Sequence, residues 1–588
     1  MKHIALRLIF ISTAVVAAAH SLAGPYAKPS WSDAVTGIRN ATFKNCVSLP
    51  NGDMIWLGDR EDSNGFSNLW VRRYTPSGQL LWNKSYPSPV ANGVLNAIGA
   101  FLASGGNVVI GCRTTGATSP IDTYMIKIDQ DGNKIGDATL NLLNFDVLEC
   151  VAPGPGNSVL IGQSDQADRW LVARLDNSFN VVWSTRLGTV GQSSQWPTAI
   201  AQQGSDAVVC GVTKNGAQTD VLLARLSGAN GAALYSQSFG DLATREYYPT
   251  LLVNPLGELY FAYTHHLFEV DRQARLLRIS DSGATMWTIT DPKIPAPLLC
   301  SNPSGSMALV GTSQVNVGSA TNRVAVFTNT GAVLWWKDLV SPDVADNFTR
   351  SATMSDDGTV TCASSAVQAS TGDGMWLVNS VSATGFQLFS WLFSPAINAD
   401  ASPHAVAAND HGVVFVGGEF TVSNDNDAYL FRLDAEASVE PSLLTVRLGR
   451  QNSGNLASLV ADDNVHLDMC KFIVPNQATP PINIELEAVA PLDYPVTTLD
   501  FRSVSKASTT GLQQNLEMWN WTTGQWERST TQPMQLIEQS SSASAPASAY
   551  VQAGSRLMRA RIRVSVSGLV FSSNWCTQFD LAGWLLRP

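Results

Sequence analysis

The chain has 588 residues, of which 45% are hydrophobic and only 14% are charged, and its formal net charge is −11. A weakly acidic chain without a basic run excludes nucleic acid as a partner, because phosphate contacts require clustered Lys and Arg. Beyond the N-terminus no stretch reaches the ~18 consecutive apolar residues of a membrane-spanning helix, so we expect no transmembrane segment.

Residues 1–23 have the pattern of a secretory signal peptide. Lys2 and Arg7 form the charged start, Leu8–Ala19 the apolar core, and Ser21-Leu22-Ala23 a cleavage site of small residues. The pattern predicts export to the extracellular space, the periplasm or the cell surface. Cleavage removes Lys2 and Arg7, which changes the formal net charge from −11 to −13.

An apolar run that ends in a small residue recurs between residues 24 and 436. The closing residues lie 49 to 54 positions apart and are Gly58, Gly111, Gly162, Gly211, Ala262, Gly311, Ala363 and Gly417. Most repeats continue with a second run, a Gly-containing turn and an aromatic residue, such as Gly331 and Trp335, which we interpret as a packing residue between repeats. A period of ~40–50 residues with about four short strands is typical of β-propeller blades. The sequence predicts an all-β fold with an eight-bladed β-propeller over residues 24–436, with seven blades as the alternative.

Two further features favour a closed ring over an open stack of repeats. The residues twelve positions before the closing residues are small in seven of eight repeats: Cys46, Gly99, Cys150, Ala199, Thr250, Leu299, Ser351 and Ala405. Small side chains are expected where the innermost strands of all blades converge. The eighth repeat lacks a last strand, whereas the segment around Trp31 has no partner. We therefore expect the Trp31 segment to pair with Tyr429–Asp434 and to cover its open edge.

The repeat stops near Asp434, and residues 437–441 are predicted to be a short linker. Residues 442–588 contain seven or eight strand-like runs, which predict a β-sandwich domain of the immunoglobulin-like or jelly-roll kind. The low-complexity segment Ser540–Ser548 is predicted to be a mobile loop of this domain.

The repeats, with units such as Gly78-Gln79-Leu80-Leu81-Trp82, resemble the β-propeller repeats of bacterial secreted surface proteins. They resemble the repeats of pyrroloquinoline-quinone enzymes more loosely. The C-terminal stretch Trp519–Trp526 is similar to sandwich modules that end secreted proteins of environmental bacteria. These resemblances imply a bacterial exported protein and carry no catalytic residue. The resemblance to the quinone enzymes would imply an adjacent pair of cysteines at the cofactor. This chain has neither an adjacent Cys pair nor a Cys-x-x-Cys-His motif, so we predict no cofactor.

Six of the eight cysteines fall into two groups. Cys470 and Cys576 are the only pair in the C-terminal domain and are candidates for a disulfide in an exported protein. Four others occupy small or apolar positions of the repeat and are predicted to be unpaired buried thiols: Cys46, Cys150, Cys210 and Cys362. The C-terminal domain has no Cys/His cluster of the kind that zinc needs, and we predict no metal site. The adjacent His265 and His266 are predicted to lie on the surface in a loop.

Aromatic and basic residues of the C-terminal domain are the candidate ligand contacts. Trp519 and Trp521 are expected to share a strand face, with Trp526 across a hairpin, and stacked indoles can bind sugars; core packing is the alternative. A second set alternates with apolar residues, so its guanidinium groups are expected to share one strand face: Arg559, Arg561 and Arg563. This face could bind an anionic polysaccharide, or it could simply be solvated.

We predict a monomeric binding protein for an unknown extracellular ligand, either a glycan or a protein. Ligand contacts are expected at variable connections of the ring, in Asp59–Ser67, Arg113–Ile121 and Thr312–Asn322. The alternative is a carbohydrate-active hydrolase or lyase that uses carboxylates on one face of the propeller. Candidates for such carboxylates are Asp373, Glu246 and Asp346, although no catalytic residue is identified. Two close carboxylates with one raised pKa would favour the enzyme, and an aromatic pocket would favour binding.

Overall fold

The computed structural model describes residues 27–587 except for short segments. The segments outside the description are 36–39, 117–120, 143–145, 165–168, 193, 217, 241–243, 268–270, 292–293, 317–318, 342–343, 386, 395–399, 409–412, 423–424, 436, 460–464, 473–478, 491–495, 497 and 568–573. The predicted signal peptide, residues 1–23, also lies outside the described residues.

The described chain begins with strand β1 (Ala27–Val35) and continues as consecutive four-stranded antiparallel sheets. The first sheet contains β2 (Ala41–Ser48), β3 (Met54–Glu61), β4 (Ser67–Tyr74) and β5 (Leu80–Tyr86). The second contains β6 (Val94–Leu102), β7 (Val108–Thr115), β8 (Asp122–Ile128) and β9 (Lys134–Leu140). The third contains β10 (Val147–Gly154), β11 (Ser158–Ser164), β12 (Trp170–Leu175) and β13 (Val181–Leu187). The fourth contains β14 (Trp196–Gln203), β15 (Asp206–Asn215), β16 (Gln218–Leu226) and β17 (Ala233–Phe239).

The next four sheets follow the same order. The fifth contains β18 (Arg245–Val253), β19 (Leu259–Leu267), β20 (Asp271–Ile279) and β21 (Thr285–Asp291). The sixth contains β22 (Leu298–Ser301), β23 (Met307–Asn316), β24 (Ser319–Phe327) and β25 (Val333–Val340). The seventh contains β26 (Val344–Met354), β27 (Val360–Gln368), β28 (Gly374–Val381) and β29 (Gln387–Phe393). The eighth contains β30 (Asp400–Ala408), β31 (Val413–Val422), β32 (Asp425–Ala435) and the N-terminal β1.

The fold is all-β with repeated four-stranded antiparallel sheets arranged as a β-propeller. The first strand of each sheet contacts the first strand of the next, and β30 contacts β2. β1 pairs with β32, and Trp31 lies opposite Arg432, so the predicted pairing of the two chain ends is confirmed. Apolar side chains fill the space between sheets; Trp56 and Trp70 of the first sheet pack with Phe415 and Leu430 of the eighth.

The repeated aromatic residue joins several sheets to the sheet that follows. Trp335 on β25 donates from its indole Nε1 to the carbonyl oxygen of Ala383 at 2.6 Å, in the turn that follows β28. The same ring covers Gly385 of that turn, where an added Cβ would lie 3.1 Å from it. Equivalent indole donors and turn carbonyls are Trp82 with Gln130, Trp183 with Gly228, and Trp287 with Asn329. We call these pairs the interblade indole contacts; they bear out the expected packing role of the aromatic residue.

The outermost strand of seven sheets also carries an apolar residue at a β-bulge, where the pairing register skips one position. In six sheets this residue is between 46% and 57% exposed: Leu81, Ile135, Val182, Leu234, Met286 and Leu334. Its counterpart in the seventh sheet, Leu388, is only 4% exposed and belongs to an apolar cluster that also contains C-terminal residues such as Leu459 and Ile484. The C-terminal region therefore packs against the seventh and eighth sheets.

The C-terminal region has two further antiparallel sheets. One contains β33 (Ala437–Val439), β35 (Arg450–Ser453), β36 (Leu467–Cys470), β38 (Thr498–Ala507), β41 (Gln539–Pro546) and β43 (Cys576–Arg587). The other contains β34 (Leu443–Leu448), β37 (Ile482–Val489), β39 (Leu512–Asn520), β40 (Gln525–Pro533) and β42 (Leu557–Val566). The helical turns of the described chain are Ser104–Gly106, Pro155–Asn157, Leu456–Leu459 and the short α-helix α1 (Ala547–Tyr550).

Two sequence predictions for this region differ from the structure. The predicted linker 437–441 contains β33, which pairs with β43. The predicted mobile loop Ser540–Ser548 was wrong, because β41 pairs with β38 along its length. Its alternate residues Ser541, Ala543 and Ala545 are buried, and their small side chains fit beneath the neighbouring sheet. Among the described residues, no helix has the length and apolar character needed to cross a membrane.

The interblade indole contacts predict a measurable difference between two adjacent tryptophans. We expect Trp335→Phe to lower the free energy of unfolding by about 0.5–1.5 kcal/mol, because it removes one hydrogen bond and keeps most of the ring contact. Trp335→Ala should cost about 3 kcal/mol because the contact with the next sheet is lost as well. The measurement is denaturant unfolding followed by tryptophan fluorescence and circular dichroism.

The control is Trp336→Ala, because Trp336 is 56% exposed on the same strand. Equal losses for Trp335→Ala and Trp336→Ala would contradict the role assigned to the indole contact.

Candidate functional site

The innermost strands share a β-bulge that the repeat pattern does not reveal. In six sheets the register with the second strand skips one residue, namely Lys44, Ile98, Glu149, Thr198, Arg350 or His404. In the fifth sheet it skips two, Tyr248 and Pro249. A bulge redirects side chains relative to a regular strand and is common beside functional sites. Arg350 and Tyr248 both line the same cleft.

An open cleft of about 650 Å³ lies where the fifth, sixth, seventh and eighth sheets meet. Its residues come from the inner strands and from the ends of the second and third strands of these sheets. Those used below are Tyr248, Arg272, Asp346, Asn347, Phe348, Arg350 and Asp400. A concave surface with convergent polar groups is the usual setting of a ligand site.

Tyr248 is the most exposed aromatic residue of the cleft and has a strained backbone. Its φ angle is +51°, in the left-handed region that β-strand residues other than glycine rarely occupy. Such a conformation costs about 1–3 kcal/mol and persists only where neighbouring structure enforces it. The side chain is 53% exposed, and its ring lies 6.2 Å from that of Phe348, edge to face. The bulge therefore holds an aromatic surface open to solvent.

The charges among the described lining residues of the cleft are balanced. Arg272 and Arg350 contribute two positive groups, and Asp346 and Asp400 contribute two negative groups. The Arg350 guanidinium lies 4.8 Å from the centre of the Phe348 ring, and its Nε donates to the Ser365 hydroxyl at 3.1 Å. Arg350 is thus held in place by an aromatic face and a hydroxyl.

The carboxylates proposed from the sequence lie in different surroundings. Asp346 is exposed and lines the cleft, whereas Asp373 and Glu246 are buried. Glu246 Oε1 lies 2.9 Å from Nδ1 of His265 and accepts a hydrogen bond from the Thr244 hydroxyl at 2.7 Å. The prediction of a surface loop for His265 was wrong, because it is a buried residue of β19. His265 occupies a buried position of a largely apolar strand, and the sequence alone does not show that it pairs with Glu246.

Carboxyl groups with raised pKa values lie outside the cleft. Burial raises the pKa of Asp59, although the paired Lys44 ammonium lowers it. Burial also raises the pKa of Glu149, opposed by Arg113, whose guanidinium lies 2.6 Å away. Asp59 and Glu149 are thus matched to basic partners. Two close carboxylates, one of them with a raised pKa, would favour an enzyme. Asp59 and Glu149 do not form such a pair with the carboxylates of the cleft.

The tryptophans and arginines predicted as ligand contacts come together on the outer face of the second C-terminal sheet. Trp519 and Trp526 are directly opposite each other on β39 and β40, with ring centres 5.3 Å apart. Trp521 lies 6.3 Å from Trp519. The guanidinium of Arg559 lies 5.5 Å from the Trp519 ring, and that of Arg561 lies 4.5 Å from the Trp526 ring. We call these residues and Arg563 the tryptophan–arginine face.

The arginines of this face are paired with carboxylates of neighbouring strands. Arg559 binds Glu487 at 2.8 Å, and Arg561 and Arg563 both bind Glu517. The glutamates are half-buried or buried, so each guanidinium has an internal counter-charge. The charge available for an anionic polysaccharide is therefore smaller than the arginine spacing predicts.

The cysteines lie as follows. Cys470 and Cys576 are directly opposite on β36 and β43 and are joined by a disulfide. The free thiols are half-buried at Cys46 and Cys150 and buried at Cys112, Cys210, Cys300 and Cys362. Burial raises the pKa of the Cys210 and Cys362 thiols to about 12, which suppresses the reactive thiolate.

Of the three connections expected to contact ligand, Thr312–Asn322 supplies Thr312 to the cleft, and none of the described residues of the other two lines it. Four residues of the cleft were not predicted from the sequence: Tyr248, Asn347, Phe348 and Arg350. Pro249 offers the one sequence signal, because a proline cannot donate to a strand pair and often marks a bulge.

Comparison with known proteins finds distant structural similarity and no family. No protein-family model matches the chain, and a search of curated protein sequences finds no match. The structure is similar to the Dos1 propeller, with 11% identity, a TM-score of 0.41, and coverage of 69% of this chain and 95% of that chain. It is also similar to Sqt1 from Chaetomium thermophilum, with 13% identity, a TM-score of 0.44, and coverage of 69% and 99%.

A third similar structure is puromycin hydrolase, with 13% identity, a TM-score of 0.35, and coverage of 66% of this chain and 59% of that chain. Similarity at this level carries no argument about ligand or activity. The cleft is therefore interpreted from its own residues.

The disulfide closes a long loop, with a sequence separation of 106 residues. We expect the Cys470→Ser/Cys576→Ser variant to lose about 2–5 kcal/mol of stability in the C-terminal sheets, because the unfolded chain gains conformational freedom. Thermal unfolding with and without dithiothreitol measures the loss. Dithiothreitol should lower the transition of the parent protein and leave that of the double-serine variant unchanged; a shift in the variant would contradict this assignment.

The buried pair in the fifth sheet gives a second prediction. We expect His265→Ala to destabilise the protein by about 3–5 kcal/mol, because it leaves the Glu246 carboxylate buried without that partner. Denaturant unfolding at pH 7 measures the change. His266→Ala, at the next and less buried position, is the control, and a similar loss in both variants would show that the pair has no special weight.

Proposed function

We propose that this chain is an exported bacterial protein that acts by binding an extracellular ligand in the cleft of the ring. In this proposal eight blades form one closed propeller over residues 24–436, with β1 as the outermost strand of the last blade. The two C-terminal sheets form a β-sandwich that includes β33, and the protein acts as a monomer. Export is supported by the charged start, apolar core and small-residue site of residues 1–23.

The observation that carries the proposal is the exposed, strained Tyr248 beside Phe348 and Arg350. Folding buries aromatic surface wherever the chain allows it, and a strained backbone adds a further cost. A conformation that exposes Tyr248 at this cost is expected where the ring contacts something else. Polar groups surround Tyr248 and Phe348, and such groups can fix the orientation of a ligand that contacts the two rings.

Two other candidates have specific support. The tryptophan–arginine face brings indole rings and guanidinium groups together, a combination that suits a sugar ring even though the arginines are paired. The carbohydrate-active enzyme is supported by Asp346 and Asp400, which line the same cleft. These candidates differ from the main proposal in which substitution removes binding and in whether the ligand is recovered unchanged.

The test is a screen of the mature protein on a glycan array and a peptide array, followed by titration of each hit with variants. We expect Tyr248→Ala to weaken binding at least tenfold, because central aromatic contacts contribute much of the affinity in such sites. Trp196→Ala removes an aromatic residue that is 38% exposed elsewhere on the ring and should leave the affinity unchanged.

Loss of binding in Trp526→Ala and not in Tyr248→Ala would assign the ligand to the tryptophan–arginine face instead. Cleavage of a hit that stops in Asp346→Asn would favour the enzyme. Absence of any hit on both arrays would contradict the proposed function.

A further inference from the structure

The cleft contains a buried amide whose hydrogen bonding differs from that of its counterpart in another sheet. Sixteen positions before the closing residue of each repeat lies a residue near the start of the inner strand. In the fourth repeat it is Gln195 and in the seventh it is Asn347; they are 1% and 5% exposed. The two residues permit a comparison within one molecule.

Gln195 has both ends of its amide satisfied by the protein. Its Oε1 accepts from the backbone nitrogen of Thr189 at 2.8 Å and from the Thr213 hydroxyl at 2.7 Å. Its Nε2 donates to the carbonyl oxygens of Thr189 at 2.8 Å and Gln192 at 2.7 Å. This is the usual state of a buried polar side chain.

Asn347 has only one end of its amide satisfied. Its Nδ2 donates to Oδ1 of Asn322 at 3.0 Å, whereas its Oδ1 is buried and has no hydrogen-bond partner among the described residues. A buried polar atom without a partner costs about 1–3 kcal/mol, so its presence needs an explanation. Asn347 is one of the residues that line the cleft, and we therefore look to a ligand bound there for the missing partner.

A network of buried polar side chains supports Asn347 from behind. Oδ1 of Asn322 also accepts hydrogen bonds from the hydroxyls of Thr349, at 3.1 Å, and Ser364, at 2.9 Å. The backbone nitrogen of Thr349 donates to the Thr312 hydroxyl at 2.9 Å. Exchanging the oxygen and nitrogen of the Asn347 amide would place its amino group where Oδ1 stands. A ligand hydroxyl suits either assignment, because it can both donate and accept.

The remaining lining narrows the class of ligand. Among the described lining residues, two arginines and two aspartates balance in charge, so an anionic or cationic ligand would meet like charges as well as opposite ones. Tyr248 and Phe348 offer aromatic surface to the apolar face of a ring. Hydroxyl groups together with an apolar face and no net charge are the properties of a neutral sugar.

We propose that the cleft binds a neutral oligosaccharide and that Asn347 hydrogen-bonds one of its hydroxyl groups. This inference rests on the proposed function, because it assigns the ligand class of the same cleft. Tyr248 and Phe348 contact the sugar ring, and Arg350 is fixed beside them by Phe348 and Ser365. The network through Asn322 holds the Asn347 amide in position before the ligand arrives.

The test uses the full mature protein and isothermal titration with cello-, xylo-, manno- and maltohexaose as neutral probes. The hexamer of galacturonic acid is the anionic probe, and a hit from the peptide array is the third. We expect at least one neutral hexasaccharide to bind and Asn347→Ala to weaken it about five- to tenfold, through loss of one hydrogen bond. Binding of a neutral ligand should change little between about 50 and 500 mM NaCl, because screening acts on charges.

Gln195→Ala is the matched control, because it removes a buried amide at the same repeat position outside the cleft. It should lower stability and leave the affinity unchanged. Folding of each variant is checked by circular dichroism, and Asn347→Ser, which keeps a hydroxyl in the position, should lose less affinity than Asn347→Ala.

The two proposals fail differently. One outcome is preferential, salt-sensitive binding of the galacturonate hexamer, and another is binding of the peptide alone. If Tyr248→Ala abolishes that binding, the ligand is not a neutral sugar, but the cleft is still the binding site. Neutral-sugar binding that is unaffected by both Tyr248→Ala and Asn347→Ala would overturn the cleft itself. Absence of binding to all probes would overturn the sugar assignment, and it would leave the cleft proposal to the array screen.

Discussion

The ring depends on contacts in which one sheet supplies an indole and the next sheet supplies a glycine turn. Trp335 covers Gly385 and donates to the Ala383 carbonyl, and the same arrangement recurs between other neighbours. The ring lies flat on the turn because the glycine lacks a Cβ. This contact fixes the spacing between the outer parts of adjacent sheets. The inner strands then converge, and their small residues allow that convergence.

The cleft follows from irregularities placed on this regular frame. A register skip in the inner strand is repeated around the ring, yet its effect differs with the residue that occupies it. In the first sheet the skipped residue is Lys44, which pairs with buried Asp59, whereas in the fifth it is the exposed Tyr248. The register skip of the inner strand is present in most sheets. The identity of one or two side chains decides whether the position becomes an internal ion pair or a surface for a ligand.

Much of the architecture could be predicted from the sequence because a repeated pattern reports the same packing many times. The segment around Trp31, which had no partner in the repeat pattern, was correctly assigned to the repeat that lacked a last strand. The strand Gln539–Pro546 was missed because Ser and Ala carry little hydrophobic signal, although small side chains are what that buried face accepts. The site was harder to predict. Arg559, Arg561 and Arg563 were expected to share a face, but their counter-charges come from strands distant in sequence, and no local pattern reports them.

The division of the eighth sheet between the two ends of the repeat region affects how the ring can assemble. The chain is synthesised from its N-terminus, so Ala27–Val35 stays unpaired until its partner Asp425–Ala435 has been synthesised. During that interval the leading segment is free to associate with the wrong neighbour, including the same segment of another copy. Once joined, the ring has no terminal unit from which unravelling can start. Because both ends of the repeat region pair within one sheet, the number of sheets can change only by insertion or loss of an internal repeat.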